Sequence, residues 1–196
     1  MVEASLEVVP ADRVVHTAGA HPLPDEASVE AGTEALALAD DARAEGRELV
    51  VLLSGGASAM LAAPAPGVTL EQKREVTRHL LASGAAIHEL NAVRRHLSRI
   101  KGGRLALGLK CTTFALSDVA DDDPATIGSG PAVGDPSTLS DAIEVLERAG
   151  IARDRPDVIE AMRRAGETPK PGDAALAGSR FVLIGGRRTA MDGRGP

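Results

Sequence analysis

The amino-acid sequence predicts an α/β fold: a parallel sheet with helices on both faces, in a Rossmann-like three-layer arrangement. Strand-like and helix-like segments alternate, and three of the strand-like segments end in polar or glycine-rich turns. Residues 49–53 are five consecutive Leu and Val residues. Strands that alternate with helices pair in parallel, and an unbroken apolar run is typical of a parallel strand. We therefore expect residues 49–53 to form a strand that is buried on both faces.

The first predicted elements are a strand and a helix. Residues 13–16 are a short strand candidate, and two prolines then interrupt the chain. Asp25 is expected to cap a helix that reaches about Ala44, because its carboxylate can accept a hydrogen bond from a backbone N–H group of the first turn. Gly46 is the predicted stop of this helix, and the strand at 49–53 follows.

Two later helices open with capping boxes. Thr69 and Thr138 are each followed three residues later by Gln or Asp, whose side chain can return the hydrogen bond that the threonine accepts. We expect the first of these helices to end near Gly84 and the second to stop at Gly150.

The remaining elements are two strands and a short helix. A polar, basic segment at 91–104 interrupts the alternation, and residues 112–116 form the next predicted strand. A short helix is expected at 156–164 and a last strand at 181–184.

Composition excludes several classes of function. The chain has 196 residues, of which 43% are apolar and 26% charged, so we expect one folded domain. A net charge of −6, two Phe and no Trp or Tyr argue against binding to nucleic acid or anionic lipid. The single cysteine predicts a reducing compartment, and no run approaches the length of a membrane span. We expect a cytoplasmic protein that binds neither membrane nor nucleic acid.

A glycine turn follows the strand at 49–53. It consists of Ser54, Gly55, Gly56, Ala57 and Ser58. Such small residues let backbone N–H groups face a ligand at the start of a helix, so the turn predicts a phosphate or carboxylate site. The spacing matches neither the Walker loop nor the dinucleotide fingerprint, and a turn that is only structural is the alternative.

The basic segment at 91–104 is a second candidate site. Its candidate ligand-binding residues are Arg94, Arg95, Ser98, Gly102 and Gly103. Lys101 precedes the two glycines, which predicts a flexible turn that closes over a phosphate, with the lysine as a point charge. His96 lies among arginines, which disfavour its charged form, so it is expected to be a neutral donor or a base. The alternative is a solvated basic helix face.

An acidic segment follows the predicted strand at 112–116. It contains four carboxylates within six residues, and we assign Asp118 and Asp122 as candidate Mg²⁺ ligands, with Asp118 also catalytic. Asp118 comes directly after the apolar strand, whereas residues 121–123 lie farther along, where a solvated acidic turn is the alternative. Together, the glycine turn, the basic segment and the acidic segment supply the parts that phosphoryl transfer requires.

Several of these motifs occur in the order found in one enzyme family. Residues 21–25, 54–59, 91–105 and 117–136 closely resemble the glycerate 2-kinases that carry a C-terminal MOFRL domain, some of which are named putative hydroxypyruvate reductases. The resemblance implies ATP-dependent phosphorylation of D-glycerate to 2-phosphoglycerate with Mg²⁺. It implies glycerate, ATP and Mg²⁺ as ligands and leaves a homodimer open. From the residues themselves, we assign Lys101, His96 and Asp118 as candidate catalytic residues.

The chain departs from the family in sequence and in length. Ala57 stands where the family usually has a third glycine, and Asp121 where it commonly has a glycine. Family members are about twice as long, so residues 1–196 are expected to be part of the N-terminal α/β domain, without the MOFRL domain and with little activity alone. Two other functions remain open: an NAD(P)-dependent hydroxypyruvate reductase and an anion-binding module without catalysis.

Overall fold

The computed structural model describes residues 17–186, and a parallel sheet lies at the centre of this part of the chain. Its strands are β1 (Leu49–Leu53), β2 (Cys111–Leu116) and β3 (Ser179–Gly185), in that spatial order. Leu49 pairs with Cys111, which pairs with Ser179, and both strand pairs are parallel. The predicted α/β class with a parallel sheet is confirmed. The predicted strand at 13–16 lies outside the described residues.

In the described part of the chain, one helix precedes β1 and six helices fill the two connections between the strands. They are α1 (Glu26–Ala44), α2 (Ala57–Met60), α3 (Leu70–Ala82), α4 (Ile87–His96), α5 (Leu139–Arg148), α6 (Ile151–Asp154) and α7 (Pro156–Ala165). Short 3₁₀ turns occur at Arg104–Ala106, Ile127–Ser129 and Ala174–Leu176. No helix within residues 17–186 is long and apolar enough to cross a bilayer.

The predicted helix starts are confirmed. Asp25 accepts a hydrogen bond from the Ser28 N–H at 2.9 Å, and reciprocal capping boxes open α3 at Thr69 and α5 at Thr138. Each box satisfies backbone donors that the first turn of a helix leaves free. These helices therefore begin where local sequence places them.

Helix α4 was not predicted. Its N-cap residue, Ala86, has no side chain that can cap, and its backbone N–H donates to the Glu89 carboxylate instead. The helix is amphipathic: Leu90 and Val93 are buried in a cluster of apolar side chains that also includes Val76 of α3 and Leu146 of α5. The polar segment at 91–104 is thus helical in its first part, because its apolar residues share one face.

One face of the sheet packs on α1 and the other is open in the described residues. Leu49, Val51 and Cys111 contact the alanine-rich face of α1, which buries the first side of β1. Val50 and Leu52 point to the opposite side and are 56% and 80% exposed. The prediction that β1 is buried on both faces is therefore wrong: an apolar run does not reveal whether a second layer covers the strand.

Candidate functional site

A cavity of about 140 Å³ lies at the carboxyl ends of β1 and β2. Ligands of parallel α/β sheets bind in this position. The chain segments that form the cavity walls are the turn after β1, the segment after β2, helix α4 and the loop before α5. The lining residues are His21, Pro22, Gly55, Gly56, Ser58, Ala59, Ile87, Asn91, Arg94, Asp118, Val119, Thr126 and Gly128.

Helix α4 contributes one stripe of side chains to this cavity. Ile87, Asn91 and Arg94 occur at positions i, i+4 and i+7, which share one face of a helix. Burial lowers the pKa of Arg94, but an arginine remains protonated in proteins. Arg94 therefore gives the cavity wall a permanent positive charge, which favours an anionic ligand.

The glycine turn is present, but the helix that follows it is short. Gly56 has φ 79°, a left-handed conformation that glycine adopts without strain, and α2 has four residues. So short a helix provides little dipole, so the helix-terminus argument for an anion at this turn loses its basis. Gly55, Gly56 and Ser58 line the cavity, whereas Ser54 is exposed and Ala57 packs against the sheet.

A chain of side-chain hydrogen bonds joins three segments beside the cavity. The hydroxyl oxygens of Ser58 and Ser129 are 2.7 Å apart, and the Ser129 hydroxyl donates to Asn91 Oδ1 at 3.0 Å. Ser129 and Asn91 are fully buried, and Asn91 Nδ2 has no hydrogen-bond partner among the described residues. A buried polar group without a partner is rare and points to a missing one.

Two buried lysines lie near Arg94. Lys101 Nζ donates to the backbone carbonyls of Leu61 and Gly128 at 3.3 Å, and Lys73 Nζ to that of Leu97 at 2.9 Å. Within residues 17–186 neither lysine forms an ion pair. Burial, with a smaller contribution from the charge of Arg94, lowers the pKa of Lys73 to about 7. Burial, followed by the charges of Lys73 and Arg94, holds the pKa of Lys101 well below its usual value.

Residues 101–103 form the predicted turn, but it is buried within the protein and does not close over a phosphate at the cavity. Lys101, Gly102 and Gly103 are buried, and the backbone N–H groups of the two glycines donate to the carbonyls of Ser129 and Gly130. Ser98 is buried as well, and its hydroxyl accepts hydrogen bonds from the N–H groups that follow it. None of these four residues lines the cavity. The glycines instead hold the loop that carries Ser129 against the end of α4.

Arg95 and His96 lie away from the cavity. Arg95 is buried in an ion pair with Asp135 at 2.6 Å. His96 is fully buried, with Nδ1 2.8 Å from the Ala92 carbonyl and Nε2 2.8 Å from the Glu167 carboxylate. Both ring nitrogens already have partners within the protein, so neither faces the cavity as the predicted donor or base. These two residues join the end of α4 to the segments that carry Asp135 and Glu167.

The two candidate Mg²⁺ ligands of the acidic segment lie in different places. Asp118 is exposed and lines the cavity, and its carboxylate lies against the Cα of Gly55. Asp122 does not line the cavity; its carboxylate lies against Gly186. The described residues contain no group of three His, Cys, Asp or Glu side chains that could hold a metal ion. Mg²⁺ needs only one or two protein carboxylates when a phosphate supplies further ligands, and Asp118 alone fits that role at this cavity.

A larger cavity of about 370 Å³ lies between α4 and α5. Its walls mix the carboxylates of Glu89, Asp123, Asp141 and Glu144 with Arg95 and Arg148. Arg95 and Arg148 already pair with carboxylates, so this cavity offers an anion no free positive charge of the kind that Arg94 provides. We therefore place the candidate site at the strand ends.

Asn91 and Ser129, which form the chain of hydrogen bonds beside the cavity, are among the site residues that sequence reasoning missed. Asn91 was one polar residue at the start of a basic segment, and Ser129 one serine between two glycines. Their contact joins residues 38 positions apart, and the contact of Ser129 with Ser58 joins residues 71 positions apart. The helical spacing of Asn91 and Arg94 was the one local signal that could have pointed to Asn91.

Comparison with known proteins gives a consistent set of relatives. A family model described as a domain of unknown function, DUF4147, matches residues 2–163. A protein of Agrobacterium vitis named "Putative hydroxypyruvate reductase" is 46% identical over 194 residues, which cover 94% of this chain and 43% of the relative. A "D-glycerate 2-kinase" of Thermotoga maritima is 43% identical over 186 residues, 92% of this chain and 42% of the relative.

A solved structure agrees with these matches. The crystal structure of a glycerate kinase from Thermotoga maritima superposes with a TM-score of 0.82 at 39% sequence identity, over 94% of this chain and 43% of that one. The predicted resemblance to glycerate kinases and to proteins named hydroxypyruvate reductase is confirmed. The chain spans about two-fifths of the length of these relatives.

Proposed function

The chain belongs to the DUF4147 family, and from that premise we propose that it supplies the substrate-binding part of a glycerate 2-kinase. The reaction is the ATP-dependent phosphorylation of D-glycerate to 2-phosphoglycerate. Within it, residues 17–186 bind the carboxylate and hydroxyl groups of glycerate, and the cavity at the ends of β1 and β2 is the binding site.

The observation that carries this proposal is the positive charge at a small cavity. Arg94 lines it, and Lys101 and Lys73 lie close enough for the three charges to act on one another. No carboxylate among the described residues pairs with either lysine. A buried cation without a counter-ion is unfavourable, and an anionic ligand removes that penalty.

The volume of the cavity favours a small ligand. At about 140 Å³ it is below the roughly 300–1,000 Å³ of pockets that enclose drug-sized molecules. An organic acid of a few carbon atoms fits this space, whereas a nucleotide does not. ATP would therefore approach from the open side of the cavity, and Asp118 would hold its Mg²⁺, which neutralises phosphate charge.

The test is calorimetric titration of the 196-residue chain with D-glycerate. Arg94→Met should weaken binding by about 10- to 100-fold, because a hydrogen bond to a charged group contributes about 1.5–3 kcal/mol. Arg99→Met is the matched control, since Arg99 is an exposed arginine five residues away that does not line the cavity. Equal affinity in the two variants would contradict the assignment of the site.

Activity separates the proposed kinase from the alternative functions. We expect residues 1–196 alone to release little ADP from ATP and D-glycerate, because they span only about two-fifths of the length of these relatives. Oxidation of NADH with hydroxypyruvate would favour the reductase instead. Binding of glycerate with no turnover after the relatives' remaining sequence is added would favour an anion-binding module.

A further inference from the structure

The hydrogen bonds from Ser58 to Asn91 have a direction. Asn91 Oδ1 can only accept, so the single hydroxyl proton of Ser129 points toward it over 3.0 Å. The Ser129 oxygen must then accept at its other contact. Ser58, 2.7 Å away, is therefore the donor, and its own proton is used inside the protein.

This direction fixes what Ser58 offers to a ligand. Its hydroxyl has one proton and two lone pairs, and the described residues give it no hydrogen bond besides the one to Ser129. Toward the cavity it can only accept. An ionised carboxylate has no proton to donate, so it cannot hydrogen-bond to Ser58, whereas a ligand hydroxyl can.

The other end of the chain of hydrogen bonds has the opposite character. Asn91 is 2% exposed and lines the cavity, and its Nδ2 donor has no partner in the described residues. Leaving a buried donor without a partner costs about 1–3 kcal/mol. A ligand oxygen that accepts at Asn91 removes this penalty, and the charge of Arg94 three residues later favours a carboxylate oxygen there.

We propose that Ser58, Ser129 and Asn91 form a specificity relay that selects small hydroxycarboxylates. The ligand donates a hydroxyl proton to Ser58 and accepts from Asn91 Nδ2 through its carboxylate. The relay rests on the proposed function and narrows it, because it requires both groups in one molecule. A simple carboxylate satisfies one end of the relay only.

The first test compares D-glycerate with two analogues that each lack one hydroxyl: D-lactate, without the 3-hydroxyl, and 3-hydroxypropionate, without the 2-hydroxyl. Ser58→Ala should weaken D-glycerate binding by about 2- to 10-fold, the range of one neutral hydrogen bond. It should leave unchanged the affinity of the analogue that lacks the hydroxyl bound by Ser58. Equal losses for all three ligands would mean that Ser58 donates to the carboxylate, and would overturn the relay.

A second variant tests the donor end. Asn91→Asp keeps an oxygen that accepts from Ser129 and removes the Nδ2 donor, so all three ligands should lose at least about 10-fold in affinity. An unchanged affinity would show that no ligand oxygen lies at Asn91. Circular dichroism of both variants checks that the fold is retained.

The direction of the relay can also be measured without any ligand. In isotope-labelled chain, Ser129→Ala should move the ¹³Cγ resonance of Asn91, whose oxygen loses a donor, more than the Nδ2 proton resonances. The opposite pattern would mean that Nδ2 faces Ser129 and would overturn the proposal. If this pattern is as expected but D-glycerate does not bind, the proposed function fails and the direction of the relay stands.

Discussion

Arg95 and Lys101 lie six residues apart and are both almost completely buried, at 4% and 1% exposure, yet their surroundings differ. Arg95 faces the Asp135 carboxylate at 2.6 Å, and Asp135 also accepts from the Thr168 hydroxyl and the Ser137 N–H. Lys101 reaches only two backbone carbonyls, and the cations nearest to it, Lys73 and Arg94, repel it.

The difference separates a structural charge from one that is suited to a ligand. A buried cation with a hydrogen-bonded counter-ion holds its neighbourhood together, and removal of one partner leaves the other charge buried alone. A buried cation without a counter-ion lowers stability until an anion arrives. We therefore expect loss of the Arg95–Asp135 pair to lower stability, and loss of Lys101 to spare stability but weaken the binding of an anion.

The largest effect should follow from Asp135→Ala. It leaves Arg95 as a buried charge without a counter-ion, so the free energy of unfolding should fall by about 3–5 kcal/mol. Lys101→Met should change it little or raise it, because the substitution removes the cost of burying an ionisable amine without a counter-ion. Urea denaturation at pH 7 measures both. Asp154→Ala is the control, since its ion pair with Arg153 is exposed and contributes less than about 1 kcal/mol. Similar losses for Asp135→Ala and Lys101→Met would contradict the comparison.

A smaller effect should appear in the pH dependence of stability. The pKa of Lys73 is about 7 in the folded chain and about 10.4 in an unfolded one, so between these values the unfolded chain binds a proton that the folded chain does not. Stability then rises with pH. The cost of burying the charged form of Lys73 is complete below pH 7 and disappears above pH 10.4. Between pH 7 and pH 8.5 Lys73 alone should add about 1.5 kcal/mol to the unfolding free energy, and the lowered pKa of Lys101 adds to this rise.

Lys73→Met provides the control for this dependence. The variant lacks the titrating group, so its unfolding free energy should rise less over the same interval, measured by urea denaturation at several pH values. The sequence has no Tyr, and the interval ends where an unperturbed cysteine begins to titrate. Parallel pH profiles for Lys73→Met and the original chain would show that Lys73 stays charged.

The smallest effect should be a coupling between ligand binding and protons. A bound anion favours the charged form of Lys101 and Lys73, so binding should take up protons and weaken as the pH rises above 7. The limit is about tenfold per pH unit for one linked proton, and we expect less. Calorimetric titration with D-glycerate in two buffers of different ionisation enthalpy measures the uptake. An observed heat that is the same in both buffers would exclude it.

Sequence reasoning predicted the parts of the fold that depend on local signals. Asp25, Thr69 and Thr138 predict helix starts because each capping residue and its partner lie three residues apart. Helix α4 escaped prediction because Ala86 offers no such signal. The open side of β1 could not be foreseen either, since the apolar run at 49–53 is equally compatible with one covered face or two.

The candidate site was predicted in outline only. The turn after β1, Arg94 and Asp118 do meet at one cavity, as expected for the carboxyl ends of parallel strands. Whether a basic residue faces a cavity, a carboxylate or a carbonyl depends on contacts between distant segments. Arg94 and Arg95 are neighbours with different surroundings, because successive residues of a helix point in directions about 100° apart.

Because Gly55 has no side chain, the Asp118 carboxylate can lie directly against its backbone, and this contact predicts how mutations at the two positions combine. A Cβ atom at this position would lie 2.3 Å from the Asp118 carboxylate, which is exposed and free to turn outward. Gly55→Ala would therefore spare the fold and swing the carboxylate away from the cavity. In a screen for loss of function, an allele at codon 55 would resemble one at codon 118, and the two together would be no worse than either alone. The effects of the two substitutions would therefore not add, although 62 codons separate the two positions.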